Sequence, residues 1–188
     1  MKNTNSFYAL KTHLRPLLFL FLVLSTLACE KERIDDKETM EDPNNTISEN
    51  KAPLFSLASL DNGTVNLADY ENKVVVLYFF GSSCPNCIAA GPDIEKKLQT
   101  PFAANDDYAI IGLDQWNGNN AAVSSFKSRT GITFPLLLNA SGVASEYETT
   151  YDRLIVLNKE RKIVFKGSQV AGSDLAAAEA KVNTLLSN

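Results

Sequence analysis

Residues 73–80 read Lys73-Val74-Val75-Val76-Leu77-Tyr78-Phe79-Phe80, and Gly81-Ser82-Ser83-Cys84-Pro85-Asn86-Cys87 follows directly. A continuous apolar, β-branched run shows no alternation between a wet and a dry face. It describes a strand covered on both faces of a sheet. A short Gly-Ser-Ser turn ends the strand, and Pro85 suits the first position of a helix, where its missing N–H costs no hydrogen bond. The two cysteines should therefore open a helix. Free backbone N–H groups and the helix dipole at such a start favour a thiolate, so Cys84 is expected to carry a lowered pKa and to be the attacking sulfur. Two intervening residues bring Cys87 close enough to bridge within one turn, and Cys87 is expected to resolve the mixed disulfide from the helix behind.

The same patterns extend outward from this stretch. Tyr108–Leu113 is a second buried-strand run, and Pro135–Leu138 and Leu154–Leu157 are shorter ones. Lys162–Phe165 follows the charged turn Lys159-Glu160-Arg161 and reads as the second arm of a hairpin. Upstream, Leu54–Leu57 and Thr64–Leu67 flank Asp61-Asn62-Gly63, a strong hairpin signal. Helical patterns cover Pro85–Gln99, Asn120–Arg129 and Ser173–Leu186, the last with Ser173 as an expected N-cap and Asp174 in its first turn. Strands alternating with helices imply an α/β domain with a central, largely buried sheet over residues 52–188.

The inventory of reactive side chains is short. The 188 residues contain three cysteines and one histidine, His13, and the formal net charge of −4 gives no basic surface for nucleic acid. Residues 1–28 carry Lys2, Lys11 and Arg15, no acid, and the apolar run Leu17–Leu24. At about 1.5 Å per residue this run spans too little of a bilayer core about 30 Å thick, and it reads as a secretory signal peptide. Removing it also removes His13, which excludes Ser-His and Cys-His nucleophile pairs and histidine-ligated metals. It leaves 15 basic against 22 acidic residues. Residues 29–51 hold eight acids and four bases from Glu30 to Lys51, with the turn-forming Asp42-Pro43-Asn44-Asn45, and read as a polar tether.

Three readings compete for Cys84 and Cys87. Zinc uses the same spacing but needs further ligands, which the domain lacks as histidine or cysteine, so no metal is expected. A structural disulfide closing so short a loop constrains little chain entropy. Reversible redox chemistry is the expected use, with the Cys84–Cys87 disulfide as the only redox group and no other cofactor.

Several segments together resemble a known family. Ala52-Pro53-x-Phe55-x-Leu57, Val65-x-Leu67-x-Asp69-Tyr70, the Lys73–Phe80 strand, Cys84-Pro85-x-Cys87 with Pro92, and Thr133–Leu138 are similar to TlpA/ResA-type thioredoxin-like proteins of the redoxin (AhpC-TSA) superfamily. The likeness covers about residues 52–167. It implies a thioredoxin-like fold: a central mixed sheet flanked by helices, an N-terminal β-hairpin and an inserted βα unit. It also implies extracytoplasmic thiol–disulfide exchange. A domain tethered there cannot reach cytosolic thioredoxin, so it is expected to act as a reductase of protein disulfides fed by another thiol protein. Thr26-Leu27-Ala28-Cys29 resembles the lipobox of bacterial lipoproteins, implying a lipid anchor on Cys29 and a periplasmic or cell-envelope location. Thr26-x-Ala28 also fits ordinary signal cleavage. Glu30, in place of the aspartate of inner-membrane retention, tilts the reading towards the outer membrane.

The departures from the family concern the site. Ser83 stands where a tryptophan often precedes the first cysteine, Tyr78 where thioredoxin buries an aspartate, and Ala90 where ResA-like members carry a glutamate. With neither acid in place, the Cys87 proton needs water or another group as acceptor. Asp152-Arg153 occupies the place of the family's cis-proline, whose loop binds the substrate chain. Arg153 is expected to point at Cys84 and lower its pKa, or else to form an ion pair with Asp152. The arginine also supports a peroxiredoxin-like thiol peroxidase with Cys84 as peroxidatic residue. That chemistry calls for Thr or Ser three residues earlier, where Gly81 stands beside Ser82. A non-catalytic binding module that retained the fold is the third alternative. Trp116 is expected either to rim the site or to pack in its loop.

Overall fold

The computed structural model describes residues 51–61, 63–150, 152–168 and 170–187. The signal and Cys29 readings, and the tether except Lys51, fall outside these residues. Among the described residues no helix is long and apolar enough to cross a membrane.

The chain starts with a hairpin of β1 (Ser56–Ala58) and β2 (Thr64–Asn66), followed by a 3₁₀ turn at Leu67–Tyr70. Gly63 takes φ 85° in the hairpin's turn, a conformation that a side chain would strain. Then come β3 (Val74–Phe80), α1 (Pro85–Ile94, continued as a π-helical turn over Glu95–Gln99) and β4 (Tyr108–Asp114). They are followed by α2 (Asn120–Thr130), β5 (Leu136–Leu137), α3 (Ser141–Glu146), β6 (Arg153–Leu157), β7 (Ile163–Lys166) and α4 (Ala171–Leu186). Five strands form one mixed sheet in the order β5-β4-β3-β6-β7. The β3–β4 and β4–β5 pairs are parallel, while β3–β6 and β6–β7 are antiparallel.

β3 lies at the centre of this sheet, and all seven of its residues are at most 2 % exposed. Its side chains divide by parity. Val74, Val76, Tyr78 and Phe80 enter one core with residues of α1, α2 and α4, among them Cys87, Phe126 and Leu175. Val75, Leu77 and Phe79 enter a second core with Phe55, Leu67, Val143 and Tyr147. Layers on both faces explain why the sequence run is apolar without alternation. The expected thioredoxin-like arrangement is present, with its N-terminal hairpin and with β5 and α3 inserted before β6. The expected strands agree to within a residue or two. Leu54 lies outside β1, and Leu67 opens the 3₁₀ turn instead of closing β2.

One helix start differs from expectation, and one helix was not expected. Helix α4 begins at Ala171, with Val170 as an N-cap that makes no side-chain bond, so Ser173 lies inside the first turn. The Ala171 N–H instead donates to Asp152 Oδ2 at 3.0 Å, so the cap comes from a different part of the chain. Helix α3 carried no sequence signal and has only six residues.

Candidate active site

The site forms where β3 ends and α1 begins. Cys84 is the N-cap of α1, in extended conformation (φ −69°, ψ 121°), and its Sγ accepts the Cys87 N–H at 3.3 Å. This is the bond a serine or aspartate cap makes, with sulfur in place of oxygen. The Cys84 N–H donates to the Gly81 carbonyl at 3.0 Å, closing the turn that lifts the chain from strand to helix. Cys84 is partly exposed and Cys87 is 1 % exposed, and both carry free thiols. Pro85, Asn86 and Ser83 are exposed around them. Cys84 is thus the accessible sulfur of the two, and Cys87 the buried one, three residues on.

Cys87 sits in a confined polar niche. Its Sγ accepts the Gly81 N–H at 3.4 Å, and its carbonyl accepts the Tyr78 hydroxyl at 3.1 Å. Burial pushes the Cys87 thiol well up, assisted by its hydrogen bond with Cys84 and by the charges of Cys84 and Asp152; the Gly81 N–H acts in the opposite sense. At neutral pH Cys87 is therefore a thiol. Burial likewise raises the Tyr78 hydroxyl well above its ordinary value, with the neighbouring cysteines and Asp152 adding to it.

Arg153 takes neither of the parts expected of it, and its neighbour Asp152 lies at the cysteine pair instead. Arg153 pairs in register with Phe79, so its side chain leaves the sheet on the face opposite Cys87. Its guanidinium donates to the Ser168 carbonyl at 2.6 Å. It neither points at Cys84 nor pairs with Asp152, because neighbouring strand residues project to opposite faces. Asp152 is the residue that meets the pair. It is 7 % exposed, and a carboxylate oxygen and the two Sγ atoms all lie within 4.8 Å of one another. These three donor atoms fall short of the four protein ligands of a closed structural zinc site, and we assign no metal to them.

A second carboxylate fixes the loop. Asp114, fully buried at the end of β4, accepts N–H bonds from Gly118 (2.5 Å), Ser82 (3.3 Å) and Trp116 (3.4 Å). It ties the cysteine turn to the loop after β4. Trp116 is 54 % exposed, and its ring covers Gly81 so closely that a Cβ there would fall inside it. The tryptophan thus rims the site. The anchoring role of Asp114 was not expected, although Asp114 extends a buried strand that runs parallel to β3, with Asp114 opposite Phe80.

Burial raises the Asp114 carboxyl above its ordinary 3.8, outweighing the three N–H bonds that lower it. A raised carboxyl contributes stability that is complete below the unfolded value and is lost as pH rises through the folded value. Asp114→Ala strands three N–H groups and should cost about 1–3 kcal/mol. The gap in unfolding free energy between wild type and variant should widen on acidification from pH 7 towards pH 4. Urea titrations at several pH values check this; a gap that narrows would contradict it.

Comparison with known proteins agrees with this geometry. The AhpC/TSA family profile matches residues 48–166. A protein of Mycobacterium tuberculosis provisionally named a peroxiredoxin is 33% identical over 88 residues, which are 46% of this chain and 54% of that one. A thioredoxin-like protein of Bacillus subtilis is 28% identical over 113 residues, 58% of this chain and 65% of that one. The chain thus spans about half to two thirds of the length of these curated relatives. Among solved structures, a Bacteroides thetaiotaomicron protein provisionally named a protein disulfide isomerase superposes with a TM-score of 0.68 at 28% identity, covering 74% of this chain and 89% of that one. With the profile running from the hairpin through β7, the chain belongs to the AhpC/TSA family, with the thioredoxin-type fold.

Proposed function

We propose that this protein is a thiol–disulfide oxidoreductase that reduces disulfides of client proteins outside the cytoplasm, held at the membrane through a lipid on Cys29. The observation that carries the chemistry is the half-exposed Cys84 sulfur at the mouth of α1, with the buried Cys87 thiol within 4.8 Å. The Cys84 thiolate attacks a client disulfide and forms a mixed disulfide, releasing one client thiolate. The Cys87 sulfur then attacks Cys84 Sγ and releases the second. Two electrons pass from the pair to the client, and an upstream thiol donor returns the bridged pair to the dithiol. The basic, apolar start of the chain and the Cys29 context support the extracytoplasmic placement.

The relative named for peroxide chemistry favours a second reading, a thiol peroxidase. Against it stand Gly81, which offers no hydroxyl, and Arg153, whose guanidinium is held at Ser168. One pair of assays separates the two. The purified chain should accelerate insulin reduction by dithiothreitol while consuming hydrogen peroxide no faster than a free thiol. Rapid peroxide consumption lost in Cys84→Ser, beside slow insulin reduction, would replace the oxidoreductase reading. Failure of the pair to interconvert between dithiol and disulfide would remove both.

A further inference from the structure

Asp152 is a buried carboxylate whose position poses a physical question. Moving a carboxylate out of water is costly unless it is paired or hydrogen-bonded. Among the described residues no cationic side chain forms an ion pair with it. It accepts the Ala171 N–H at the N-terminus of the 16-residue helix α4, where the helix dipole favours an anion. That bond engages Oδ2. The groups facing it from the packed elements are Cys84 and Cys87 on α1 and the Tyr78 hydroxyl on β3. The other acid near this helix start, Asp174, is engaged by the Ser168 N–H. The carboxylate is thus held by a helix end beside two sulfurs.

The sulfur that most needs help there is Cys87. It is fully buried and must lose a proton before it can attack. The chain's single histidine is His13, far upstream of the site residues in the sequence. The Tyr78 hydroxyl is itself a donor, to the Cys87 carbonyl.

We propose that Asp152 accepts the Cys87 proton when the mixed disulfide resolves, a refinement that rests on the oxidoreductase reading above. The proton passes from Cys87 Sγ to the carboxylate, directly after a small side-chain movement or through one water. The Cys87 sulfur attacks Cys84 Sγ, and the Cys84–Cys87 bond forms as the bond between Cys84 and the client sulfur breaks. The electron pair leaves on the client sulfur, which takes up a proton from solvent or from the Asp152 carboxyl. Asp152 enters from the loop before β6 and so reaches the pair from a different element than the helix that carries the cysteines.

The alternative is that Asp152 serves only to cap α4. Asp152→Asn separates the two roles, because the amide oxygen still accepts the Ala171 N–H while the side chain can no longer take a proton. The resolution rate is measured in the full-length chain by rapid acid quench, from the mixed disulfide formed with a thionitrobenzoate leaving group. In the Asn variant it should fall about 10²-fold at pH 7. It should then rise about tenfold per pH unit, following the Cys87 thiolate fraction, and meet the wild-type rate at alkaline pH. Asp152→Glu should recover much of the rate and the flatter wild-type profile. Equal rates in Asn variant and wild type overturn the proposal. So does a slow Asn variant whose pH profile keeps the wild-type shape, or a Glu variant as slow as Asn with its fold intact. Formation of the first mixed disulfide at Cys84 is read in the same traces: its absence in wild type defeats the oxidoreductase reading itself, whereas its presence with an unaffected Asn variant defeats only the role of Asp152.

Discussion

Serine at position 87 is expected to turn a cycling protein into a trap. In Cys87→Ser the Cys84 sulfur still attacks a client disulfide, but nothing inside the protein can release the product. The second attack is intramolecular in the wild type, and well-oriented intramolecular groups act with effective molarities as high as about 10⁵–10⁸ M. Millimolar external thiol is a poor substitute, so turnover in insulin reduction should fall by about 10³-fold or more. A covalent adduct with client should accumulate on non-reducing gels and disappear with dithiothreitol. Cys84→Ser should show neither turnover nor adduct, because the buried Cys87 thiol is kept from solvent and from ionisation by its niche. The fold should survive both changes: serine is slightly smaller than cysteine, and its oxygen can keep the Cys87 N–H bond at position 84 and the Gly81 N–H bond at position 87. If Cys84→Ser accumulates adduct and Cys87→Ser does not, the roles are reversed. If Cys87→Ser turns over as fast as wild type, the chemistry proceeds through one sulfur and the two-sulfur exchange cycle is wrong.

The parts legible in the sequence are those governed by local pattern. The Lys73–Phe80 run, the turn at Gly81-Ser82-Ser83 and the proline after Cys84 together describe a buried strand feeding a helix, and that junction is where the sulfurs lie. What stayed hidden depends on contacts between distant residues. Arg153 and Asp152 could not be sorted by parity, because Leu154-Ile155-Val156-Leu157 is apolar on both faces and gives no phase. Only the pairing of Arg153 with Phe79 reveals which neighbour meets the cysteines. Ser173 looked like a cap because it is the type of residue that caps; the oxygen that serves comes from Asp152, 19 positions upstream of Ala171. Helix α3 (SGVASE) is too short to display a period, and it forms because Val143 and Ala144 reach the second core. Asp114, just past the Tyr108–Leu113 run, carried no signal of its own, since nothing local shows that Ser82, Trp116 and Gly118 converge on it.

Phe126→Ala should destabilise the fold more than the loss of the Asp114 anchor does. Helix α2 presents few large apolar groups to the sheet; Val123 and Phe126 are its buried hydrophobic residues, and its remaining surface is mostly polar. Phe126 is 0 % exposed and stacks on Phe80 with ring centroids 4.3 Å apart and an interplanar angle of 13°. Deleting a buried phenylalanine costs about 3–5 kcal/mol, from lost transfer energy and from the cavity left behind. Domains of this size are stable by only about 5–15 kcal/mol. The variant should therefore lose about a fifth or more of its stability and melt on the order of 15 °C lower. Its denaturant slope should stay unchanged, since a similar surface is exposed on unfolding. Phe126→Leu, which retains most of the volume, should recover more than half of the loss. Below its melting range, insulin reduction by the alanine variant should stay within a few-fold of wild type. Phe80 ends the strand one residue before Gly81, but the sulfurs are positioned by the Cys84 cap and the Asp114 anchors rather than by the stacked rings. A loss below 1 kcal/mol, well under the usual cost of about 3–5 kcal/mol, would mean that the cavity collapses freely and that α2 is held by something other than this stack. A variant that stays folded yet loses its redox activity would mean that the packing of α2 reaches the cysteine turn through Phe80, and the site could no longer be treated as independent of the helix behind it.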